Sequence, residues 1–225
     1  MTVLRNFYAD DCLKSVASED KAVSLIQSLR AVLQECGFNL TKWTSNSAAV
    51  LSAIPESDRS TSSCVNLQEG DILFERALGV RWEPQCNTID FTSVTMDKPL
   101  SRRGILSIVN SVYDPPGLIS PSVLPAKRII QELCRKGTGW DDCLPENELE
   151  AWQSWRQDQQ KLKLLKVNRC VRLSGTVVTT QLHHFCDASQ YAYGVASYVR
   201  SVDTDGQVNC HLLMSRSRLP PVKVQ

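Results

Sequence analysis

The segment Phe7-Tyr8-Ala9-Asp10-Asp11 places two adjacent carboxylates directly after two β-prone aromatic residues. Neighbouring side chains of a regular strand point to opposite faces, so these carboxylates share one site only at the tip of a hairpin. Paired carboxylates at a tight turn suit Mg²⁺, which prefers oxygen ligands and keeps water and substrate phosphates at its other positions. A solvated turn has the same composition, so the residues alone leave both interpretations open.

The composition of the whole chain is that of an ordinary folded protein. Its 225 residues are 42% hydrophobic and 22% charged, which predicts one large domain or two small ones. The net charge is only +1, so the overall charge does not indicate nucleic-acid binding. A basic surface, if the protein has one, must be local. No apolar run approaches the length of about eighteen residues that predicts a membrane span, and the N-terminus lacks a signal-peptide pattern. We therefore expect no membrane partner.

Nine cysteines are spread along the chain without a CxxC pair. A structural zinc site normally needs close ligand pairs, and a disulfide framework is typical of smaller secreted chains. The expected state is therefore reduced intracellular thiols, mostly buried as small apolar side chains.

Hydrophobic periodicity and capping residues predict a chain that mixes helices and strands. The predicted helices are 19–36, 101–112, 122–135 and 146–166. The predicted strands are 2–8, 12–16, 72–83, 87–94, 176–186, 191–200 and 207–215. The fold class that follows is α+β.

Several motifs occur in an order that is found in one family. Tyr-x-Asp-Asp on a strand-turn-strand, followed by an amphipathic helix, resembles the palm of a reverse transcriptase. The complete set resembles the Pol polyprotein of BEL/Pao long-terminal-repeat retrotransposons. It comprises Gly37-Phe38-Asn39-Leu40-x-Lys42-Trp43, Leu78-Gly79-Val80-Arg81-Trp82, Tyr113-Asp114-Pro115-x-Gly117-Leu118-Ile119-Ser120-Pro121, Ala126-Lys127, Trp140-Asp141 and Phe185-Cys186-Asp187-Ala188-Ser189-x-x-Ala192-Tyr193-Gly194. The last of these motifs resembles the opening strand of an RNase H domain.

The resemblance implies three domains within the α+β class. Residues 1–95 would be the C-terminal part of a reverse-transcriptase palm with a primer-grip-like hairpin. Residues 96–172 would be a helical thumb or connection of the Pao type. Residues 173–225 would be the first three strands of an RNase H-like domain.

The resemblance also implies catalytic and metal-binding roles for three carboxylates. Asp10 and Asp11 match the polymerase motif that holds two Mg²⁺ ions, which activate the primer 3′-hydroxyl and neutralise phosphate charge. Asp187 matches the first carboxylate of the RNase H metal site. The family places the remaining carboxylates of both sites before Met1 and after Gln225, so we expect the isolated chain to be inactive.

Nucleic-acid contacts are expected at two places. The resemblance puts Tyr8 beside the primer end, and Gly79 and Trp82 in the primer-gripping hairpin. A basic strip could follow a nucleic-acid backbone, or it could be a solvated helix face, and the sequence leaves both open. Its members are Lys161, Lys163, Lys166, Arg169 and Arg172.

The function implied by the resemblance is that of a Pol polyprotein fragment whose parent is an RNA-directed DNA polymerase with RNase H activity. Its partners would be an RNA template, a DNA strand, deoxynucleotides and the missing Pol segments. Its location would be cytoplasmic or within virus-like particles. The alternatives are a non-catalytic nucleic-acid-binding relic of a decayed element, and a Pao-type aspartic peptidase. For a peptidase the chain lacks an Asp-Thr/Ser-Gly triplet, and Asp203-Thr204-Asp205-Gly206 suits a hairpin turn better.

Overall fold

A computed structural model describes residues 5–8, 10–60, 75–77, 80–91, 97–171 and 175–221 of the chain. These residues form two compact units. The first comprises the described residues up to Asp90 together with Val167–Arg169, and the second comprises those of Phe91–Lys166 and from Cys170 onward. The helical and strand segments that the sequence assigns to separate domains, 96–172 and 173–225, therefore fall almost entirely within the second unit.

The first unit begins with a very short hairpin. Strand β1 (Phe7–Tyr8) pairs antiparallel with β2 (Asp11–Cys12). One further bond, from the Leu13 amide to the Asn6 carbonyl at 3.0 Å, extends the pair. The predicted hairpin is thus present, but the predicted strand lengths are wrong, because Arg5 and Asn6 lie outside β1 and residues 13–16 outside β2.

Two helices follow, α1 (Glu19–Glu35) and α2 (Ala48–Ser52). The predicted start of α1 is confirmed, because the Ser18 hydroxyl accepts a hydrogen bond from the Lys21 amide. Gly37 follows its end with φ of +81°, a conformation that glycine adopts without strain. This amphipathic helix buries little of its apolar side, since Leu29 is its one buried residue and Val32 is 53% exposed.

The first unit also contains a four-stranded sheet with the order β3-β4-β5-β6. Its strands are β3 (Glu75–Ala77), β4 (Val80–Glu83), β5 (Thr88–Asp90) and β6 (Lys166–Asn168). Strands β4 and β5 form the predicted hairpin, with Trp82 opposite Ile89. The prediction of one strand over 72–83 is wrong, because β3 and β4 lie within that range and pair antiparallel with each other. The outer parts of the predicted strands, residues 72–74 and 92–94, lie outside the described residues.

The second unit contains three helices, α3 (Arg102–Asn110), α4 (Ser120–Arg135) and α5 (Glu146–Gln159), and a 3-10 turn at Gln160–Leu164. Their buried side chains include Ile105, Ile108, Val123, Ala126, Ile129, Leu133, Trp152 and Trp155. The two tryptophans stack with their centroids 4.9 Å apart, and the indole N–H of Trp155 donates to the Ser122 carbonyl at 2.7 Å. Both tryptophans are therefore packed in the helical core of this unit.

The loop between α4 and α5 is attached to the start of α3. The Arg102 guanidinium lies 3.9 Å from the centroid of the Trp140 ring. Arg103 Nε donates to Asp141 Oδ1 at 2.7 Å. This hydrogen bond lowers the pKa of the Asp141 carboxyl. The Trp140-Asp141 motif therefore has a structural role in holding this loop.

Three long strands complete the second unit: β7 (Val177–Ala188), β8 (Tyr193–Asp203) and β9 (Val208–Arg218). They form an antiparallel meander in the order β7-β8-β9. The sequence predicted three strands here, at 176–186, 191–200 and 207–215, and the observed strands are longer. The turn between β8 and β9 is stabilised by Asp203 Oδ1, which accepts hydrogen bonds from the amides of Asp205 and Gln207 at 3.0 and 2.8 Å. Gly206 completes the turn with φ of +76°.

The outer edge of β9 is closed by the segment that leads into α4. The Ser215 amide donates to the Pro116 carbonyl at 2.7 Å, and the Ser215 hydroxyl donates to the Gly117 carbonyl. The Ser217 amide donates to Ser120 Oγ at 2.9 Å. In contrast, all 12 residues of β7 are exposed. The sheet is thus supported by the helices at one edge.

The expectation of mostly buried cysteines is wrong. Among the described cysteines only Cys12 is partly buried, and the others are exposed. They are placed in turns, at helix ends and on open strands, which this small fold does not cover; Cys64 lies outside the described residues. Among the helices in the described ranges, none is both long and apolar enough to cross a membrane.

Candidate metal and nucleic-acid sites

The hairpin β1–β2 positions the first pair of candidate carboxylates. Asp10 lies in the turn, and Asp11 opens β2 opposite Tyr8. Both aspartates are exposed. The alternation of a regular strand is broken at this turn, so the arrangement is compatible with two carboxylates facing one cation. Their metal-binding role, and that of Tyr8 at a primer end, remain predictions.

The thiol next to this pair does not favour nucleophilic chemistry. Burial raises the pKa of Cys12, and the nearby Lys14 offsets this only in part. A raised pKa keeps the thiol protonated at neutral pH, and the thiolate is the nucleophilic form.

The third candidate carboxylate is at the end of β7. Asp187 is exposed and pairs across the sheet with Gly194 of β8, which in turn pairs with Ser217 of β9. Residues directly opposite one another share a face of the sheet, so Asp187, Gly194 and Ser217 lie in one row on the same face. The residue beside Asp187 is a glycine and has no side chain. The carboxylate is therefore accessible, while this row supplies no second carboxylate beside it.

The described residues contain no group of three or more His, Cys, Asp or Glu side chains placed to hold a metal ion. Asp10 with Asp11, and Asp187 alone, are the positions that the sequence nominates for Mg²⁺. One or two carboxylates are typical of Mg²⁺ sites that are completed by water and by substrate phosphates.

The predicted primer-grip residues are only partly described. Gly79 lies outside the described residues. Trp82 is 9% exposed, and its indole N–H donates to Asn87 Oδ1 at 3.2 Å. The Arg169 guanidinium lies 4.9 Å from its ring centroid. The observed contacts of Trp82 are those of a packed residue, and its role in gripping a primer stays a prediction.

The basic strip is divided between the two units. Lys161 pairs with Asp158 at 2.7 Å, and Lys163 is exposed. Lys166, the first residue of β6, is also exposed and falls in the second unit, whereas the rest of β6 and Arg169 belong to the first. Arg169 donates through Nε to Asn87 Oδ1 at 2.8 Å. Arg172 lies outside the described residues. Lys161 and Arg169 therefore both have partners within the chain, and nucleic-acid binding by the strip is not tested.

Sequence reasoning did not single out two cations at the end of β9. They lie on the face of the sheet opposite to Asp187, because Ser217, which stands between them, is in the same row as Asp187. Arg216 and Arg218 are exposed at the end of β9, and Arg218 pairs with Tyr193 across the sheet. The alternation Ser215-Arg216-Ser217-Arg218 was the available signal, because a period of two places both arginines on one side of a strand.

One comparison with known proteins gives a match. The sequence model of the family described as Pao retrotransposon-like RNaseH-like domain matches residues 101–225, more than half of the chain. The match begins at the N-cap of α3 and spans the three helices and the meander of the second unit. No curated protein and no solved structure matches the chain.

Proposed function

Because the chain belongs to the Pao retrotransposon-like RNaseH-like domain family, we propose that it acts within a retrotransposon Pol polyprotein as a region that binds an RNA–DNA hybrid. In that polyprotein Asp187 is a ligand of the RNase H metal ions. Asp10 and Asp11 are carboxylates of the polymerase site, and the parent is an RNA-directed DNA polymerase with RNase H activity.

The observation that carries this proposal is the position of Asp187. It projects, exposed, from the end of the first strand of an antiparallel meander, opposite a glycine. A two-metal site for phosphodiester hydrolysis needs a carboxylate that both metal ions and the scissile phosphate can reach. Gly194, the neighbour of Asp187 across the sheet, has no side chain and leaves that access open.

The isolated chain should bind nucleic acid without turnover. Two metal ions need several carboxylates, and Asp187 has none beside it in its row across the sheet. This isolation also supports the alternative of a non-catalytic relic that binds nucleic acid. The aspartic peptidase alternative is less well supported, because Asp203 is 8% exposed and its Oδ1 is engaged in the turn between β8 and β9.

The direct test is binding of the purified chain to a fluorescent RNA–DNA hybrid, measured by anisotropy between about 50 and 200 mM salt. We expect binding that weakens as salt rises, because contacts to phosphates release counterions. Absence of binding at low salt would refute the proposal. In parallel, primer extension or hybrid cleavage by the pure chain with Mg²⁺ or Mn²⁺ would refute its predicted lack of turnover.

A further inference from the structure

The second unit has a cavity that neither Asp187 nor the basic strip lines. It has a volume of about 340 Å³ and is bounded by the end of α3, the start of α4 and the end of β9. Its charged lining residues are Asp114, Lys127, Arg216 and Arg218. Two elements that are distant in sequence thus bring three cations to one cavity.

The lining of the cavity has an excess of positive charge, because Lys127, Arg216 and Arg218 outnumber its one carboxylate, Asp114. The three cations are exposed, and no hydrogen bond or ion pair joins their side chains to other described residues. The Asp114 carboxylate accepts two backbone hydrogen bonds, at Oδ1 from the Leu118 amide at 2.9 Å and at Oδ2 from the Ile119 amide at 2.8 Å. An excess of positive charge at one site favours the binding of an anion.

Hydrogen bonds join α4, which carries Lys127, to the end of β9, which carries Arg216 and Arg218. Ser120 Oγ and Ser217 Oγ lie 2.6 Å apart, and the Ser217 hydroxyl also contacts the Ser120 carbonyl at 3.2 Å. These bonds hold the start of α4 against the end of β9. The cations therefore stand on rigid elements, which reduces the entropy that is lost when a ligand binds.

Aromatic residues continue the surface beyond the cavity. Tyr193, which is 45% exposed, pairs across the sheet with Arg218. Tyr191 is 54% exposed, and the Arg128 guanidinium lies 4.8 Å from its ring centroid. Cations interleaved with exposed aromatic rings are typical of surfaces that bind a nucleic-acid backbone and stack on its bases or sugars.

We propose that this cavity is a phosphate-binding site for the backbone of a polynucleotide, with Lys127 contacting the phosphate from α4 and Arg216 and Arg218 from β9. A polynucleotide is favoured over a free phosphate because the charged and aromatic surface continues past the cavity to Arg128 and Tyr191. This inference rests on the proposed hybrid binding and adds the residues that perform it.

The test uses the full chain and matched variants. R216Q/R218Q removes both cations of β9, K127Q removes the cation of α4, and K14Q/K21Q removes two exposed lysines of the first unit as the control. Circular dichroism and thermal unfolding verify that each variant folds. The measured quantity is the slope of log affinity for an RNA–DNA hybrid against log salt.

We expect the slope to decrease by about 2 for R216Q/R218Q and by about 1 for K127Q, since each cation that contacts a phosphate contributes about one. K14Q/K21Q should leave it unchanged. If the wild-type chain binds and both cavity variants match the control, the site is refuted while the proposed function stands. If only R216Q/R218Q has an effect, the strand alone binds and the cavity is refuted. If the wild-type chain does not bind, the proposed function itself fails.

The source of the phosphate is tested by competition. Inorganic phosphate added at constant ionic strength should leave hybrid binding unchanged if the site reads a backbone. If inorganic phosphate displaces the hybrid from the wild-type chain but not from K127Q, the cavity binds phosphate, but its ligand is free phosphate and not a polynucleotide backbone.

Discussion

Helix α4 and strand β7 lie in the same unit but are packed in opposite ways. Helix α4 buries Val123, Ala126, Ile129 and Leu133, whereas every residue of β7 is exposed. Burial of apolar area is the main favourable term in folding, so the helices supply most of the stability of this unit. Strand β7 contributes little burial, which leaves its surface, with Asp187 at its end, available for partners.

The largest effect that would sharpen this comparison is expected from a pair of leucine substitutions. Leu133 on α4 is fully buried, while Leu182 on β7 is 60% exposed. L133A should lower the free energy of unfolding by about 2–5 kcal/mol, through lost burial and the cavity left behind. L182A should change it by about 0.5 kcal/mol or less. Urea denaturation followed by tryptophan fluorescence and circular dichroism measures both values.

Equal losses in the two leucine variants would contradict the comparison. Such a result would mean that β7 is covered in solution by something that buries Leu182. Sedimentation of the wild-type chain over a range of concentrations would then distinguish self-association from a change within one molecule.

A smaller effect is expected at the closed edge of the sheet. Gly117 has φ of +76°, and a Cβ atom there would lie 1.8 Å from the Ser215 carbonyl oxygen. Gly206 has the same φ of +76°, but a Cβ atom would meet open space. G206A should lower the free energy of unfolding by about 1 kcal/mol, because alanine is strained in the left-handed backbone conformation. G117A should lower it by about 2–3 kcal/mol, because residue 117 must also move away from the Ser215 carbonyl of β9.

Thermal unfolding of the two glycine variants makes this measurement. The wild-type chain is the reference, and G206A is the control for backbone strain. If G117A were no worse than G206A, the contact between the segment before α4 and the edge of β9 would not exist in solution.

The smallest effect concerns the exposed pair Arg103 and Asp141. The hydrogen bond from Arg103 lowers the pKa of Asp141 below its ordinary value of 3.8. A carboxyl whose pKa is lower in the folded state stabilises the fold above its unfolded pKa, and this contribution is lost as pH falls through the folded pKa. Titration of the Asp141 carboxyl carbon by NMR should show the lowered pKa in the wild-type chain. R103Q should restore the ordinary value, and an unchanged titration would contradict the contact.

The elements of this fold were largely predictable because their signals are local. Ser18 and Ser101 cap their helices as their positions predict, and the alternating pattern at the end of the chain gave three strands in the right order. A helix cap or a hairpin turn depends on only a few neighbouring residues, which the sequence contains in full.

Burial and the phosphate-binding cavity were not predictable in the same way. Helix α1 leaves Val32 exposed, and most of the described cysteines are exposed, because burial depends on which elements meet. The cavity joins Lys127 to Arg216 and Arg218, which are distant in sequence. The basic strip that was visible in the sequence is instead divided between two units.

The most direct test of the central claim uses a Pol polyprotein that contains this sequence. Hydrolysis of the RNA strand of a hybrid and extension of a DNA primer are measured for the wild-type protein, D187N and D10N/D11N. Loss of a carboxylate that holds the metal should reduce hydrolysis more than about 100-fold in D187N, since even residues that support such ligands contribute 10- to 100-fold. Primer extension should be retained in D187N and abolished in D10N/D11N. Full RNA hydrolysis by D187N would contradict the account.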